Sequence, residues 1–478
     1  RNFDMGNALP ILTDKLNSKR YFADTSQRDI LRFFLPASPT GYDLVLRKND
    51  LSTVKNIIQL EAKKFVDYSL AGNQGDYLII TNPLLQQGPV DYVKEYSNYR
   101  GSDSGGHYKV SVVNVHELVD QFAYGVKMSP AGLKNFLRFA NDKFSVKPQY
   151  VFLIGKGVAY PAYRFNSTNP YVDQINLVPV FGYPGSDNLL SARNYSDMVE
   201  TPVGRLSAVS PKEVKNYLEK VKQYEAALSN TSLSINDKNY TKKVLQIAGA
   251  NDAAVSVKID TFMQHYTHII SDTLFGAQVS TFSKTINPAE YPKALDSFTS
   301  AYNNGAALIQ YFGHSSSTSI DFNLDNPANY TNAGRYPTFI VNGCLAGNIF
   351  DYEPNRLADR STLSEKFVLE PGKGAIGYIS GSSFGVLDYL NVFTEKIYRS
   401  AAYASYNNGI GNIMQQALGD ALHYYGENEF HGRMHAQQYT LHGDPAIRIS
   451  QSSLPDYTTD SSHIHIAPGI LTTALDSM

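Results

Sequence analysis

The sequence predicts an α/β protein built as two adjacent open sheets, mostly parallel and flanked by helices, with short N- and C-terminal extensions. Three observations carry this expectation. Near-continuous apolar runs such as "YLIITNP" (77–83), "YVFLIGKG" (150–157) and "TFIVNGC" (338–344) read as strands buried on both faces. Amphipathic stretches of helical period separate such runs, the alternation of a parallel sheet. The 478 residues are 42% apolar and 18% charged, enough for a large core, and the length calls for two or three units.

Residues 1–75 have mixed periodicity and no strong motif, and are expected to be an N-terminal extension or the end of a preceding domain. From Asp76 the strand pattern sets in, with "YKVSVVNV" (108–115) joining the runs at 77 and 150. Between the last two, "SPAGLKNFLRFANDKF" opens with Ser129 as a cap and Pro130 at the first helical position, giving a strand–helix–strand unit. "TPVGRLSAVSPKEVKNYLEKVKQYEAAL" repeats the device with Ser210 and Pro211 ahead of a long charged helix. The polar stretch "SNTSLSINDKNYT" (229–241) lacks core residues, so a first α/β subdomain is expected over 76–240 and a second over 241–450. The second contains the runs "VLQIAGA" (244–250), "AQVSTFS" (277–283), "AALIQYFGH" (306–314), "TFIVNGC" and "GAIGYISGSS" (374–383). Residues 451–478 turn Ser/Thr/Asp-rich with alternating apolar positions, as a linker entering a β-rich domain would. The start at Arg1 without a leader and the stop at "ILTTALDSM" read as cut ends, so a fragment of a longer protein is expected.

Several function classes drop out. The net charge is −2 without a basic stripe, which argues against nucleic acid as a partner. No run of 18 apolar residues exists, so no membrane span is expected in this fragment. No Walker motif or G-x-G-x-x-G follows a strand, so nucleotide binding lacks support. Loops crowded with Asn and Ser, with 34 Tyr and no Trp, suit an extracellular bacterial protein. The only cysteine, Cys344, cannot form an internal disulfide; it is either a buried apolar filler or a reactive thiol.

Its context favours reactivity. In an open parallel sheet, catalytic groups gather outside the carboxyl ends of the strands. His314 closes "ALIQYFG" and Cys344 closes "FIVNG", each straight after a glycine, and their spacing suits one parallel crossover. An imidazole beside a thiol takes its proton and stabilises the thiolate. The main-chain N–H groups of Ser315 and Cys344 are then placed to form an oxyanion hole. A third group should orient the imidazole. "VLQIAGA" ends in Asn251-Asp252 at the same sheet edge, which makes Asp252 the candidate with Asn251 close behind; an Asx cap on the next helix explains the pair about as well.

"YFGHSSS" followed by "VNGCLAGNIF" resembles the His and Cys loops of the gingipain family of caspase-like cysteine peptidases. That family includes secreted gingipains and the sortase-like signal peptidase of type IX secretion. The resemblance runs from about Asp76 to Ile449, with "DYLIITNPLL", "VHELVDQFAYGVKMSPAGLKNFLRFA", "YVFLIGKG", "TPVGRLSA", "GAIGYISGSS" and "LHGDPAIRI" in the family's order. It implies caspase-like, Rossmann-like sheets, His314 as general base, Cys344 as nucleophile, and an oxyanion hole at Ser315 and Cys344. It also implies that Asn251 and Asp252 match the acidic position supporting the His. One departure stands out: the family usually has Gly directly after this His, and here Ser315 follows it. No acidic residue clearly matches a specificity pocket, Asp260 being a weak candidate, and Gly381, Ser382 and Ser383 are expected to form a substrate wall.

Weaker signals point elsewhere. "GSSFG" matches G-x-S-x-G with Ser383 as nucleophile, His435 or His442 as base and Asp388 or Asp420 in support, the order of an α/β-hydrolase; a substrate-lining loop explains it better. His431 and His435 share a helical face and His442, His463 and His465 follow, but without an H-E-x-x-H or Cys partner packing or solvated histidines are the better reading. Asp187 and Asp197 read as turn residues, with structural calcium, as in many gingipain-like domains, kept as an option. The chemistry requires no cofactor. The expectation is an extracellular or cell-surface cysteine endopeptidase acting on proteins or peptides, with a sortase-like transpeptidase and contacts to secretion-system or cell-surface components as its extension. Its rival is a non-catalytic surface scaffold or adhesion module with an idle thiol.

Overall fold

The computed structural model describes residues 8–449 apart from 28–29, 51–61, 194, 231–232, 251, 272–273, 285–290, 325 and 427, together with residues 3, 464–467 and 470–473. The chain divides into two compact units, Arg1–Lys64 and Phe65–Met478. In the smaller unit, β1 (Ile11–Asp14), β2 (Lys19–Phe22) and β3 (Leu44–Arg47) form an antiparallel sheet in the order β2-β1-β3. Asp14 makes the turn after β1, its carboxylate accepting from the amides of Leu16 and Asn17 at 3.0 and 3.2 Å.

Residues 65–75, read from the sequence as part of the extension, belong to the larger unit. Tyr68 is buried there, its ring 4.9 Å from that of Phe136. The main sheet of this unit is built from β4 (Tyr77–Thr81), β5 (Val110–Asn114), β6 (Tyr150–Ile154), β7 (Val203–Leu206), β8 (Lys243–Gly249), β9 (Gln278–Ser283), β10 (Leu308–Gly313), β11 (Thr338–Asn342), β12 (Gly377–Gly381) and β13 (Tyr439–His442). They form one ten-stranded sheet in the order β5-β4-β6-β7-β13-β12-β11-β10-β8-β9. Every residue of β4, β6, β11 and β12 is buried, as apolar runs covered on both faces require. The edge strands β5 and β9 are only partly covered and carry Ser and Gln or Thr.

The two series of strands expected as adjacent sheets are therefore joined edge to edge. The joint is β13, parallel to β7 through His442 and Arg205 and antiparallel to β12. A strand of four residues from the end of the second series thus completes the edges of both, and no sheet edge is left open between them.

Helices cover both faces as the patterning requires. In Pro211–Leu228 the buried positions Val214, Tyr217, Leu218, Val221, Tyr224 and Leu228 fall on one stripe, each worth about 1.5–3 kcal/mol of apolar burial. Ser210 caps this helix, its hydroxyl accepting from the Glu213 amide at 3.4 Å, with Pro211 at the first position. Ser129 precedes Pro130–Lys143 in the same place without a side-chain capping bond. Strands β14 (Ile464–Ala467) and β15 (Ile470–Thr473) pair as an antiparallel hairpin. No helix among the described residues is long and apolar enough to cross a membrane.

Candidate active site

Chain direction selects one stretch of the sheet edge. From β8 the chain crosses to β9 on one side and returns to β10 on the other, so the topological switch point lies between β8 and β10. The last registered pairs are Gly249 with Gly313 and Phe312 with Asn342. His314 and Cys344 each stand two residues beyond the second pair and Asp252 three beyond Gly249, on three neighbouring strand ends. Parallel strands lie about 4.8 Å apart, so groups two residues beyond a registered pair stand side by side. The His314 side chain is exposed and Cys344 is half-buried.

The histidine turn is held from below by Tyr311, whose hydroxyl donates to the His314 carbonyl at 2.5 Å and accepts from the Asp321 amide at 3.0 Å. This hydroxyl occupies the space a side chain on residue 313 would need: a Cβ there would lie 2.6 Å from it and 2.5 Å from the Gly249 carbonyl. The turn closes through hydrogen bonds from the Asp321 N–H to the His314 carbonyl (3.2 Å) and from the Ser316 N–H to the Ser319 carbonyl (2.9 Å). The bridged pair Ser315 and Ile320 lies between those bonds, so the Ser315 N–H points away from this small ladder. Ser315 lies outside the left-handed region, so its backbone does not demand glycine. The Asp321 carboxylate pairs with Lys284, which follows β9 and donates its amide to Ala248 at 3.0 Å.

The cysteine turn carries backbone strain. Leu345, directly after Cys344, has φ = 62°, a conformation that costs a non-glycine residue about 1–3 kcal/mol. It is held by its own N–H on the Ser383 carbonyl (2.9 Å), while the Cys344 carbonyl accepts from the Ser315 hydroxyl (2.9 Å). Gly347 donates to the Gly381 carbonyl at 2.9 Å. Residues 381–383 thus border the cysteine turn. Gly381 ends β12, the Ser382 hydroxyl is buried on the Gly185 carbonyl (2.8 Å), and Ser383 is half-buried beside the exposed Phe384.

Asp252 caps the helix Ala253–Ser271, its carboxylate accepting from the Val255 amide at 3.0 Å. Asn251 lies outside the described residues. Asp260 sits roughly two turns further along that helix, about 10 Å from its start. The helix leads from the carboxyl end of β8 back to the start of β9, so Asp260 is carried away from the site edge.

The serine-hydrolase alternative loses its base. His435 is buried with Nε2 accepting from the Val386 amide (3.0 Å) and Nδ1 on the His431 carbonyl (2.7 Å). His442 is buried with Nε2 accepting from the Ser207 amide (3.1 Å), which leaves Nδ1–H for the Ser364 hydroxyl (2.8 Å). Asp388 pairs with Lys258 and Asp420 with Gln416, so neither supports such a base. The two acids considered for calcium are also engaged: Asp187 binds Arg205 through both oxygens at 2.7 Å, and Asp197 binds Arg433 and Gln437. Among the described residues no group of three or more His, Cys, Asp or Glu is placed to hold a metal ion. His463 lies outside the described residues, and His465 is on β14.

One buried polar cluster next to the cysteine turn went unread in the sequence. Lys156, after β6, donates to the Ile349 carbonyl (2.6 Å) and to Glu365 (3.1 Å). Glu365 also accepts from Arg356 (2.9 Å), Ser207 (2.6 Å) and Thr362 (2.8 Å). Burial opposes the Glu365 charge, but Lys156 and Arg356 hold the carboxyl well below its usual range. Burial pushes the neighbouring His442 down to about 3. The signal available was a lysine wedged between two glycines at a strand end, "IGKG", which reads as a loop charge until its burial is known.

The arrangement is that of a cysteine peptidase: a thiol and an imidazole on adjacent strand ends of an α/β sheet, with main-chain amides beside them. The family model for peptidase family C25 matches residues 70–450. Among solved structures, the Arg-specific cysteine proteinase gingipain R (RGPB) superposes with a TM-score of 0.56 at 15% identity, over 81% of this chain and 80% of that one. The complex of Porphyromonas gingivalis RgpB pro- and mature domains gives 0.56 at 15%, covering 78% and 79%. A structure described only as a protease gives 0.57 at 19%, covering 81% and 83%. A comparison with curated protein sequences finds no match. The chain belongs to peptidase family C25, the gingipain family, and is a cysteine-type endopeptidase.

Proposed function

We propose that the chain is a secreted or cell-surface endopeptidase that works through a Cys344–His314 dyad. The observation that carries this is the register of β10 on β11, which sets His314 and Cys344 two residues beyond the same registered pair. The Cys344 sulfur attacks the scissile carbonyl carbon while the His314 imidazole takes the thiol proton. The tetrahedral oxyanion is held by the Ser315 and Cys344 amides. As the C–N bond breaks, the imidazole gives its proton to the departing amine, leaving a thioester. Water then attacks the thioester, its proton passing to His314, and the acid product leaves with the thiol restored. In a transpeptidase of the type IX secretion kind an amine takes the place of that water, with secretion-system or cell-surface components as its partners. Asp252, with Asn251, is assigned to the imidazole from the same edge, and residues 381–383 to the substrate wall.

The test is alkylation of the native protein by iodoacetamide, beside a His314→Ala variant. Rapid labelling at about pH 6 that the variant loses is the expected result. Labelling that rises only near pH 8.5, equally in both proteins, would overturn the dyad and leave the thiol idle in a scaffold.

A further inference from the structure

The peptide that joins Cys344 to Leu345 is pinned at both ends. Its carbonyl accepts from the Ser315 hydroxyl, and its N–H donates to the Ser383 carbonyl, each at 2.9 Å. One pin comes from the histidine turn and the other from the end of β12, so the nucleophile's backbone is fixed against both neighbours. The space for the first pin is made by Gly343: a Cβ there would lie 2.0 Å from the Ser315 hydroxyl and 2.8 Å from the Gly313 carbonyl. The two pins together hold Leu345 in its left-handed conformation, which one hydrogen bond would sustain less firmly than two.

We propose that Ser315 is a positioning residue whose hydroxyl ties the histidine turn to the nucleophile's carbonyl and so keeps the Cys344 thiol facing His314. This rests on the dyad proposed above. The hydroxyl touches no reacting atom. Its effect passes through the peptide plane: with the Cys344 carbonyl drawn toward the histidine turn, that oxygen stays out of the space where a substrate oxyanion must sit. The Cys344 N–H remains available to that oxyanion. A glycine at 315 would keep the amide but lose the tie.

The experiment compares wild type, Ser315→Ala, Ser315→Gly and His314→Ala by iodoacetamide alkylation at about pH 6 and about pH 9, with thermal unfolding of each. The ratio of the two rates is the readout, because a purely structural serine would lower the melting temperature without moving it. The expected result is a roughly tenfold fall in that ratio for both Ser315 variants, with His314→Ala falling at least as far. A ratio unchanged in both Ser315 variants but reduced in His314→Ala would overturn the positioning role and leave the dyad standing. A ratio unchanged in His314→Ala would overturn the dyad, and the positioning role with it. Should Ser315→Gly unfold, Ser315→Ala carries the comparison alone, since it removes only one oxygen.

Discussion

The Tyr311 hydroxyl donates a 2.5 Å hydrogen bond to the carbonyl of His314, three residues further along the same chain. It also accepts from the Asp321 amide, so one phenol oxygen fixes both arms of the histidine turn. Tyr311→Phe removes that oxygen and leaves the aromatic ring in place. The expected loss is about 1–2 kcal/mol of stability, with peptidase activity reduced on the order of tenfold. Urea unfolding and kcat/KM on a peptide mixture check it; full activity would show that the turn holds its shape without the phenol.

Gly343→Ala places a methyl where the Ser315 hydroxyl lies and is expected to abolish thiol reactivity at about pH 6. In Gly343→Ala/Ser315→Gly the first clash is gone, while the 2.8 Å approach to the Gly313 carbonyl stays. Partial recovery of labelling, above the Gly343→Ala level and below wild type, is the expected outcome. Equal labelling of the single and double variants would mean that the two residues do not share that space.

Ser383 meets the cysteine turn through its carbonyl, and its hydroxyl takes no part in the proposed reaction. Ser383→Ala, which trims the assigned substrate wall, should lower kcat/KM by no more than about tenfold, whereas Cys344→Ser should lose activity almost entirely. Loss of activity in Ser383→Ala with retention in Cys344→Ser would return the serine-hydrolase alternative.

Acid stability follows from two buried groups. His442 titrates at about 3 in the folded chain against 6.5 when unfolded, so between those values the unfolded chain binds the extra proton. Its contribution is complete above pH 6.5 and is lost as pH falls from 6.5 to 3. Glu365, held below its ordinary 4.5, adds a second loss below that pH. The expected slope between pH 6 and 5 approaches about 1.4 kcal/mol per unit from His442 alone. His442→Asn should flatten it; an identical pH dependence in the variant would assign the acid lability to other groups.

Lys156 links Glu365 to the Ile349 carbonyl, five residues past the nucleophile. Lys156→Met leaves that carbonyl without its ammonium donor and removes one of the two cations on Glu365. A loss of about 3 kcal/mol is expected in denaturant unfolding. Cys344 labelling at about pH 6 should slow as well, because the cysteine turn loses its far anchor. Unchanged labelling in a destabilised variant would confine Lys156 to the core.

The sheet was legible because most of its strands are apolar runs, and β8, β10 and β11 at the site run straight into glycine. "YFGH" and "VNGC" each put a polar group immediately after such a run, so the carboxyl edge and its two chemical groups could be read together. The single continuous sheet was not legible. Its joint, "YTLH", is four residues long, follows a helix directly and pairs in opposite senses on its two sides, and no periodicity encodes that. Backbone devices escaped for a different reason. The left-handed Leu345 and the Tyr311 phenol owe their roles to groups far off in sequence or to space left by glycines, and neither residue type advertises such a use. Asp252 shows the limit from the other side: a residue type that favours both caps and catalytic support reads equally well as either, and its carboxylate is on the Val255 amide.

The position of β13 has a consequence for how the chain is made. Residues up to 381 can lay down β4 to β7 and β8 to β12, but each set then ends in an unpaired strand until Tyr439–His442 arrives between them. During synthesis the two growing sheets therefore expose bare hydrogen-bonding edges, with the thiol and imidazole already translated. Only when nearly the whole unit has emerged does one short strand close both edges. The strand acts as a completion check: a chain cut short before residue 439 has every residue of the proposed dyad and no closed scaffold to hold it.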